Sequence, residues 1–392
     1  MRAVAASILV SVTMQAMPAG ATEQPTNAAP PAPSASETAV VADATAAPVK
    51  PSEHDRKLAT ALAIVPGVAV HGTGQYALGH KKTALALLIG EGIGLALVLG
   101  GFATLRESGN SRYLAGPALA ATVFGTGLVV ASFGADLYGT LATDGDAVEL
   151  LSRAPPRFES ELGYRYVGDP HFSYRHFVVE SLTLRQARFR LTPSAWFASD
   201  SSNVRYRVEG AYRLLGLEPG EQGTRDDRVE IVLGGLHHRY LPEHFQRSGI
   251  ELMLATRLDL SHFGSTLRGS FFELGVGYGI AKVAYDVPGL SVPADSDDLL
   301  LAQIGFGVAL RGRAAVGSEA RVYYDHRHDD YAAGFLSGRL ISGVFGKIGG
   351  DFRWFFTPRL GLLAEAQYGS AVVGGLSLLL REGTLRAQGA SP

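Results

Sequence analysis

The sequence contains no cysteine among its 392 residues, which excludes a disulfide framework and any thiolate metal site. It is also short of charge. Asp, Glu, Lys and Arg make up 18% of the chain, below the ~25% common in globular proteins. The net charge of -2 excludes a global basic field, so no nucleic-acid partner is expected. No Walker loop, zinc signature or dinucleotide fingerprint is convincing, because Gly275, Gly277 and Gly279 stand inside a strand pattern with no helix after them. No cofactor is expected. What the chain does have is apolar material (46%), a mean hydropathy of +0.12 and 48 glycines. Its charges are scattered through apolar segments, and Arg greatly outnumbers Lys.

The scatter has a period. Val204, Tyr206, Val208, Tyr212 and Leu214 share one parity, while Arg205, Arg207, Glu209 and Arg213 share the other. A strand sends successive side chains to opposite faces, so this segment has one oily and one charged face. The same alternation recurs from Arg157 to Arg381, in about twelve strand candidates, with ten as the other count. Connections near Arg185-Gln186, Gly264-Ser265-Thr266, Arg313-Ala314 and Thr357-Pro358 read as tight, whereas Tyr285 to Asp298 and Asp325 to Gly338 read as long. Two connections break this alternation: Leu215 to Asp227 is long where a tight turn is due, and Ser370-Ala371 is short where a loop is due. Short turns at one end and longer loops at the other, with apolar-out and polar-in strands, are the pattern of a transmembrane antiparallel β-barrel. The region generally resembles bacterial outer-membrane β-barrel proteins. Arg157, Glu159, Glu161, Arg165, Arg205, Arg207, Glu209, Glu251, Arg257, Glu273, Arg311 and Arg353 are then expected to line its lumen. Arg190 and Glu365 share that parity, and opposite charges in a narrow lumen can pair across it.

Upstream the material changes. Residues 1–21 read as a signal peptide, with Arg2 ahead of the apolar run Ala3–Val12 and Ala19-Gly20-Ala21 as a cleavage site. Residues 22–51 read as a disordered Ala/Pro-rich spacer. Residues 52–142 form an apolar helical region of two or three helices: Leu58–Leu78, Thr83–Leu105 and Tyr113–Leu141. Ser52 and Asp55 are placed to cap a helix beginning near Glu53, and Gly90 and Gly94 to bring helix backbones close. Glu91 is the one charge in the second stretch, which in a membrane marks either a functional group or an internal hydrogen-bonding one. Pro66-Gly67, Gly72, Gly74-Gln75-Tyr76, Gly79 and Lys82 resemble the pattern at helix-hairpin bends of small bacterial membrane proteins. That resemblance implies a membrane hairpin and no activity. The barrel occupies 157–381, and 382–392 is a tail.

Other clusters carry less. Asp325, His326, His328, Asp329 and Asp330, then His237, His238 and His244, then Asp295, Asp297 and Asp298 read as solvated loops rather than metal sites. Ser261-His262 is an adjacent pair within a strand, so the two side chains point apart and do not form a catalytic couple. The expectation is a secreted, non-enzymatic cell-envelope protein of the outer membrane, porin-like, in a structural or small-solute channel role. Its partners are membrane lipids, with a small solute or an envelope protein beside them. Two alternatives stand: an inner-membrane helical anchor carrying a periplasmic β domain that binds a partner, and a lipid-modifying barrel enzyme.

Overall fold

A computed structural model of the chain describes residues 52–108, 111–142, 155–170, 174–219, 221, 225–240, 244–286, 289, 293–310, 317–327, 335–337 and 343–382. The signal-peptide, spacer and tail expectations fall outside these residues, as do Arg311, Arg313-Ala314, His328, Asp329 and Asp330.

Four helices precede the sheet: α1 (Glu53–Ile64), α2 (Thr73–Ala77), α3 (Lys81–Glu107) and α4 (Arg112–Leu141). The strands are β1 (Phe158–Gly168), β2 (His176–Gln186), β3 (Phe189–Ala198), β4 (Asn203–Leu215), β5 (Arg228–Tyr240), β6 (Phe245–Asp259) and β7 (Ser270–Tyr285). They continue with β8 (Asp295–Ala309), β9 (Glu319–Asp325), β10 (Phe335–Ser337), β11 (Gly343–Phe345), β12 (Lys347–Phe355), β13 (Leu360–Tyr368) and β14 (Val372–Glu382). Twelve of them close into an antiparallel barrel in the order β1-β14-β13-β12-β9-β8-β7-β6-β5-β4-β3-β2, and β10 and β11 pair separately. The seam between first and last strands is complete, with Phe158 opposite Glu382 and Gly168 opposite Val372.

The wall is inside-out relative to a soluble protein. Ile250 is 66% exposed and Leu162 59%, whereas Arg165 is 2% and Arg257 6% exposed. Most strands turn their apolar parity outward and their charged parity toward the barrel axis; β2 departs from this, with Phe177 and Val179 buried inside and Glu180 exposed on the outer face. Only lipid makes that arrangement favourable, and closure leaves no strand edge to be satisfied by it.

Several boundaries differ from the sequence reading. The first apolar stretch is not one helix. α1 stops at Ile64, the chain turns through Val65–Gly72, and Gly72 adopts φ +90°, a left-handed conformation that glycine accommodates without strain. The turn between β2 and β3 is Ala187-Arg188, two residues later than expected. Ser261-His262 lies in a 3-10 turn, because β6 ends at Asp259, whose carboxylate accepts the amide of Ser261. Asp295 and Asp298 stand in β8 and not on a loop. The expected strand Arg339–Phe356 is interrupted, with Gly343–Phe345 and Lys347–Phe355 as separate pieces. The capping box of α1 is formed as expected: Ser52 and Asp55 bond reciprocally, and those hydrogen bonds hold the Asp55 carboxyl below the usual aspartate range.

α3 and α4 are long and apolar enough to cross a membrane. At 27 and 30 residues they reach about 40–45 Å, against a hydrocarbon core of about 30 Å. They pair where Gly94 meets the backbone of Gly125 and Gly101 meets Ala118 and Thr122; a Cβ at Gly90 would meet only the Ser132 Cβ, at ordinary contact distance. The hairpin lies against the outside of the barrel. Phe272, Ala302 and Ile304 belong to the outward parity, yet they are buried, because α4 covers them with Val123, Ala131 and Ala135. Gly127 rests on Ile304 and Gly134 on Phe306. The lower ends are pinned beside the β6–β7 turn, where the Tyr138 hydroxyl donates to the Arg268 carbonyl (2.8 Å) and Gly264 abuts Thr83. A bilayer around this wall of the barrel would therefore surround the hairpin as well.

Candidate functional site: the barrel interior and the re-entrant turn

The interior has two storeys. The lower one, toward the end where β1 begins, is a network of arginines and carboxylates. Arg190 of β3 reaches Glu209 of β4 (2.7 Å) and Glu230 of β5 (3.2 Å), and Arg213 holds Glu230 from the other side (3.1 Å). Arg207 binds Glu251 (2.5 Å). Glu273 is shared by Arg228 (3.4 Å), Arg257 (3.4 Å) and Arg321 (2.8 Å). Arg257 also reaches Glu319 (2.8 Å) and Asp226 (3.0 Å). Arg353 pairs with Glu159 (3.2 Å), and Arg165 with Glu161 (2.5 Å) and Glu365.

Many of these pairs leap over a strand. Arg165 on β1 and Glu365 on β13 are separated by β14, and the residue facing both in register is Gly375. A Cβ at Gly375 would collide with the Arg165 side chain. Gly234 of β5 faces Glu209 and Glu251 in register and leaves room for the Arg207 guanidinium to reach Glu251, and Gly305 of β8 lies beneath Glu273. Inward glycines thus leave the space through which the charges arch. Arg257–Glu319 and Arg353–Glu159 each span two intervening strands, so they cut across the interior as chords.

The upper storey is apolar. Val167, Phe177, Val179, Tyr240 and Val373 are buried together, with Trp196 and Phe245 against them. Phe177 meets Trp196 at 6.1 Å, and Tyr240 stacks on Phe245 at 4.1 Å and on His238 at 3.7 Å. Arg205 lies over the Trp196 ring at 5.3 Å. Ala281, Leu299 and Leu301, with Met253, form the matching cluster on β6–β8.

Among the residues expected from sequence, Glu159, Glu161, Arg165, Arg207, Glu209, Glu251, Arg257, Glu273 and Arg353 sit in the lower network, and Arg205 sits in the upper storey. Arg157 does not join them: it precedes β1 and is exposed at the rim. Arg311 lies outside the described residues. Arg213, already on the charged parity of β4 in the sequence, joins them, and Glu230, Glu319, Arg321 and Asp351 are members that the sequence reading left out. Their inward parity was available from the alternation of β5, β9 and β12. Asp226 comes from the β4–β5 connection and had no periodic signal at all. That connection is long because it folds back over the barrel end, where Asp226 meets Arg257 and Asp227 meets His262 (2.8 Å). His262 is thus engaged by Asp227, and Ser261-His262 gives no support to a catalytic couple.

A second polar assembly lies outside the barrel. The tip of the Val65–Gly72 turn stands beside Glu91 and Ser132, each roughly 15 Å along its helix from the membrane-end residues Lys81 and Leu141. Backbone bared at that depth must be satisfied by protein. Asp136 accepts the amides of Gly72 (2.9 Å), Gly74 (3.2 Å) and Gln75 (3.0 Å). Glu91 accepts the amide of His71 (2.9 Å), whose ring contacts the Ser132 hydroxyl (2.5 Å). Gln75 accepts a hydrogen bond from Thr266 of the barrel (2.8 Å). Of the two roles open to Glu91, the internal hydrogen-bonding one is what the geometry displays. The chain bends at Val65–Gly72 between α1 and α2, and the glycine-glutamine-tyrosine motif lies in α2 directly after that bend.

No family model and no curated protein matches the chain. Among solved structures it is similar to the outer membrane protein Omp33 of Acinetobacter baumannii, at 10% identity and a TM-score of 0.29, over 58% of this chain and 98% of that one. It is similar to the translocator domain of the autotransporter NalP from Neisseria meningitidis, at 12% identity and a TM-score of 0.34, over 64% and 96%. It is also similar to the β domain of the Bordetella autotransporter BrkA, at 12% identity and a TM-score of 0.31, over 58% and 98%. At these scores the likenesses add no argument, and the closed barrel rests on the strand order of this chain.

Proposed function

We propose that the chain is an outer-membrane β-barrel protein with a structural role, its interior closed to solutes in this state. The single observation that carries this reading is the burial of its inward charges. A guanidinium or carboxylate lining an open aqueous pore is wetted, yet Glu251, Glu273, Arg165 and Arg257 are all buried among their counter-ions. Above them the aromatic storey packs as a core does. A small-solute channel role would require both storeys to part. The inner-membrane anchor is disfavoured by the contact of α4 with the outer wall of β7 and β8, since separating the two would leave an apolar barrel wall in water. Export through the leader at residues 1–21 completes the reading.

The test is conductance of the full-length protein in planar bilayers. No steady current is expected from folded, heat-modifiable protein, and a stable porin-sized current would overturn the closed state. Fractionation tests location separately, with the protein expected among outer-membrane markers.

A further inference from the structure

A cleft of about 320 Å³ opens between α1 and the end of α4, lined by Glu53, Arg56, Lys57, Thr60, Thr140 and Leu141. We propose that it binds the phosphate headgroup of one anionic phospholipid. The inference rests on the hairpin lying in a bilayer and not on the barrel being closed.

Depth is the first argument. Tyr138 of α4 is tied to the β6–β7 turn, so Thr140 and Leu141 stand at the membrane surface, where lipid phosphates lie. Chemistry is the second. Arg56 and Lys57 supply two cations, and Thr60, whose hydroxyl donates to Thr140 over a long 3.3 Å while Thr140 donates to the Leu137 carbonyl, can exchange that weak bond for one to a phosphate oxygen. Lys81 and Lys82 add positive charge at the start of α3 on the same side. Continuity is the third. From the cleft the exposed face of α1 passes Ala61 to Ile64 and on to Val65 and Val68, a greasy track leading toward mid-bilayer along which an acyl chain can lie. An inorganic anion would use the cations and ignore that track, so the shape favours a lipid. Glu53 opposes binding. It holds Lys57 at 2.8 Å, but both side chains are exposed, so water and salt weaken their bond and a phosphate can compete for the ammonium.

The experiment uses the full-length protein in nanodiscs of phosphatidylcholine carrying a minority of phosphatidylglycerol, with retained lipid read by native mass spectrometry. Wild type should keep one phosphatidylglycerol in preference to phosphatidylcholine. In the Arg56→Gln/Lys57→Gln variant that preference should fall about thirtyfold, the effect expected of two basic side chains at an anionic surface. Glu53→Gln should raise it. Equal preference in wild type and the double variant overturns the site, as does displacement of the retained lipid by excess inorganic phosphate. Heat-modifiable migration of every variant confirms a folded barrel. Failure of any of them, wild type included, to enter nanodiscs would instead count against the shared-bilayer reading.

Discussion

Asp136 alone accepts the amides of Gly72, Gly74 and Gln75 among the described side chains, at the end of the bend between α1 and α2. Replacing it with alanine strands those donors, at about 1–3 kcal/mol for each one left buried and unsatisfied. Asp136→Ala should therefore speed amide exchange across Gly72–Gln75 in the reconstituted protein while β5 and β6 keep their protection. Unchanged exchange at the bend would show that water already satisfies it. Glu91 was conspicuous in the sequence because a charge interrupts an apolar run. Asp136 was not, since it sits near the end of a stretch where a polar residue is unremarkable. The difference is one of partners: both carboxylates serve a turn some twenty to sixty residues away in the chain, and local periodicity carries no record of that. Inward glycines repeat the lesson. Gly375→Val keeps strand character, but its side chain occupies the space used by Arg165. It should cost more than the 1–3 kcal/mol of ordinary overpacking, because the Arg165–Glu365 bond is lost with it. Urea unfolding in vesicles measures that difference.

Strands declared themselves because lipid on one side and counter-ions on the other force a strict period of two. All twelve barrel strands were visible for that reason. What hid was anything obeying a different constraint. β10 and β11 are three residues each, too short for alternation to register. α1 and α2 share a mainly apolar composition with the turn between them, so composition ran them into one stretch, although Pro66-Gly67 and Gly72 belong to the bend pattern read in the sequence. The docking of α4 on β7 and β8 was also invisible, since a lipid-facing residue and a helix-facing one are equally apolar. Glycine was the only clue, and its meaning needed a partner. Gly127→Leu or Gly134→Leu should lift the hairpin from the wall without unfolding either element. The check is crosslinking between cysteines placed at Leu128 and Leu274, both packed in that contact. The yield should fall severalfold in the glycine variants, while the barrel still resists cold detergent. An unchanged yield would mean that Ile304 and Phe306 simply repack.

At the level of the whole molecule the two storeys make separable claims. The lower one is electrostatic and dear to disturb: Arg257 faces Glu319, Asp226 and Glu273 at once. Removing the guanidinium leaves Glu319 without its main partner and takes one of three arginines from Glu273, and breaking such a pair typically costs about 3–5 kcal/mol. Exchanging both partners for apolar residues of similar volume costs far less, so Arg257→Met/Glu319→Leu should recover part of the loss seen in Arg257→Ala. The upper storey is dispersion and burial, indifferent to that change. Phe177, Trp196 and Tyr240 would still meet over the axis side of β2, β3 and β5. Arg257→Ala should consequently be less stable in urea titrations and yet pass no current in planar bilayers. A conducting Arg257→Ala protein would mean that the ion-pair network alone keeps the barrel shut, and the aromatic layer would then be an adornment of the mouth with no part in closure.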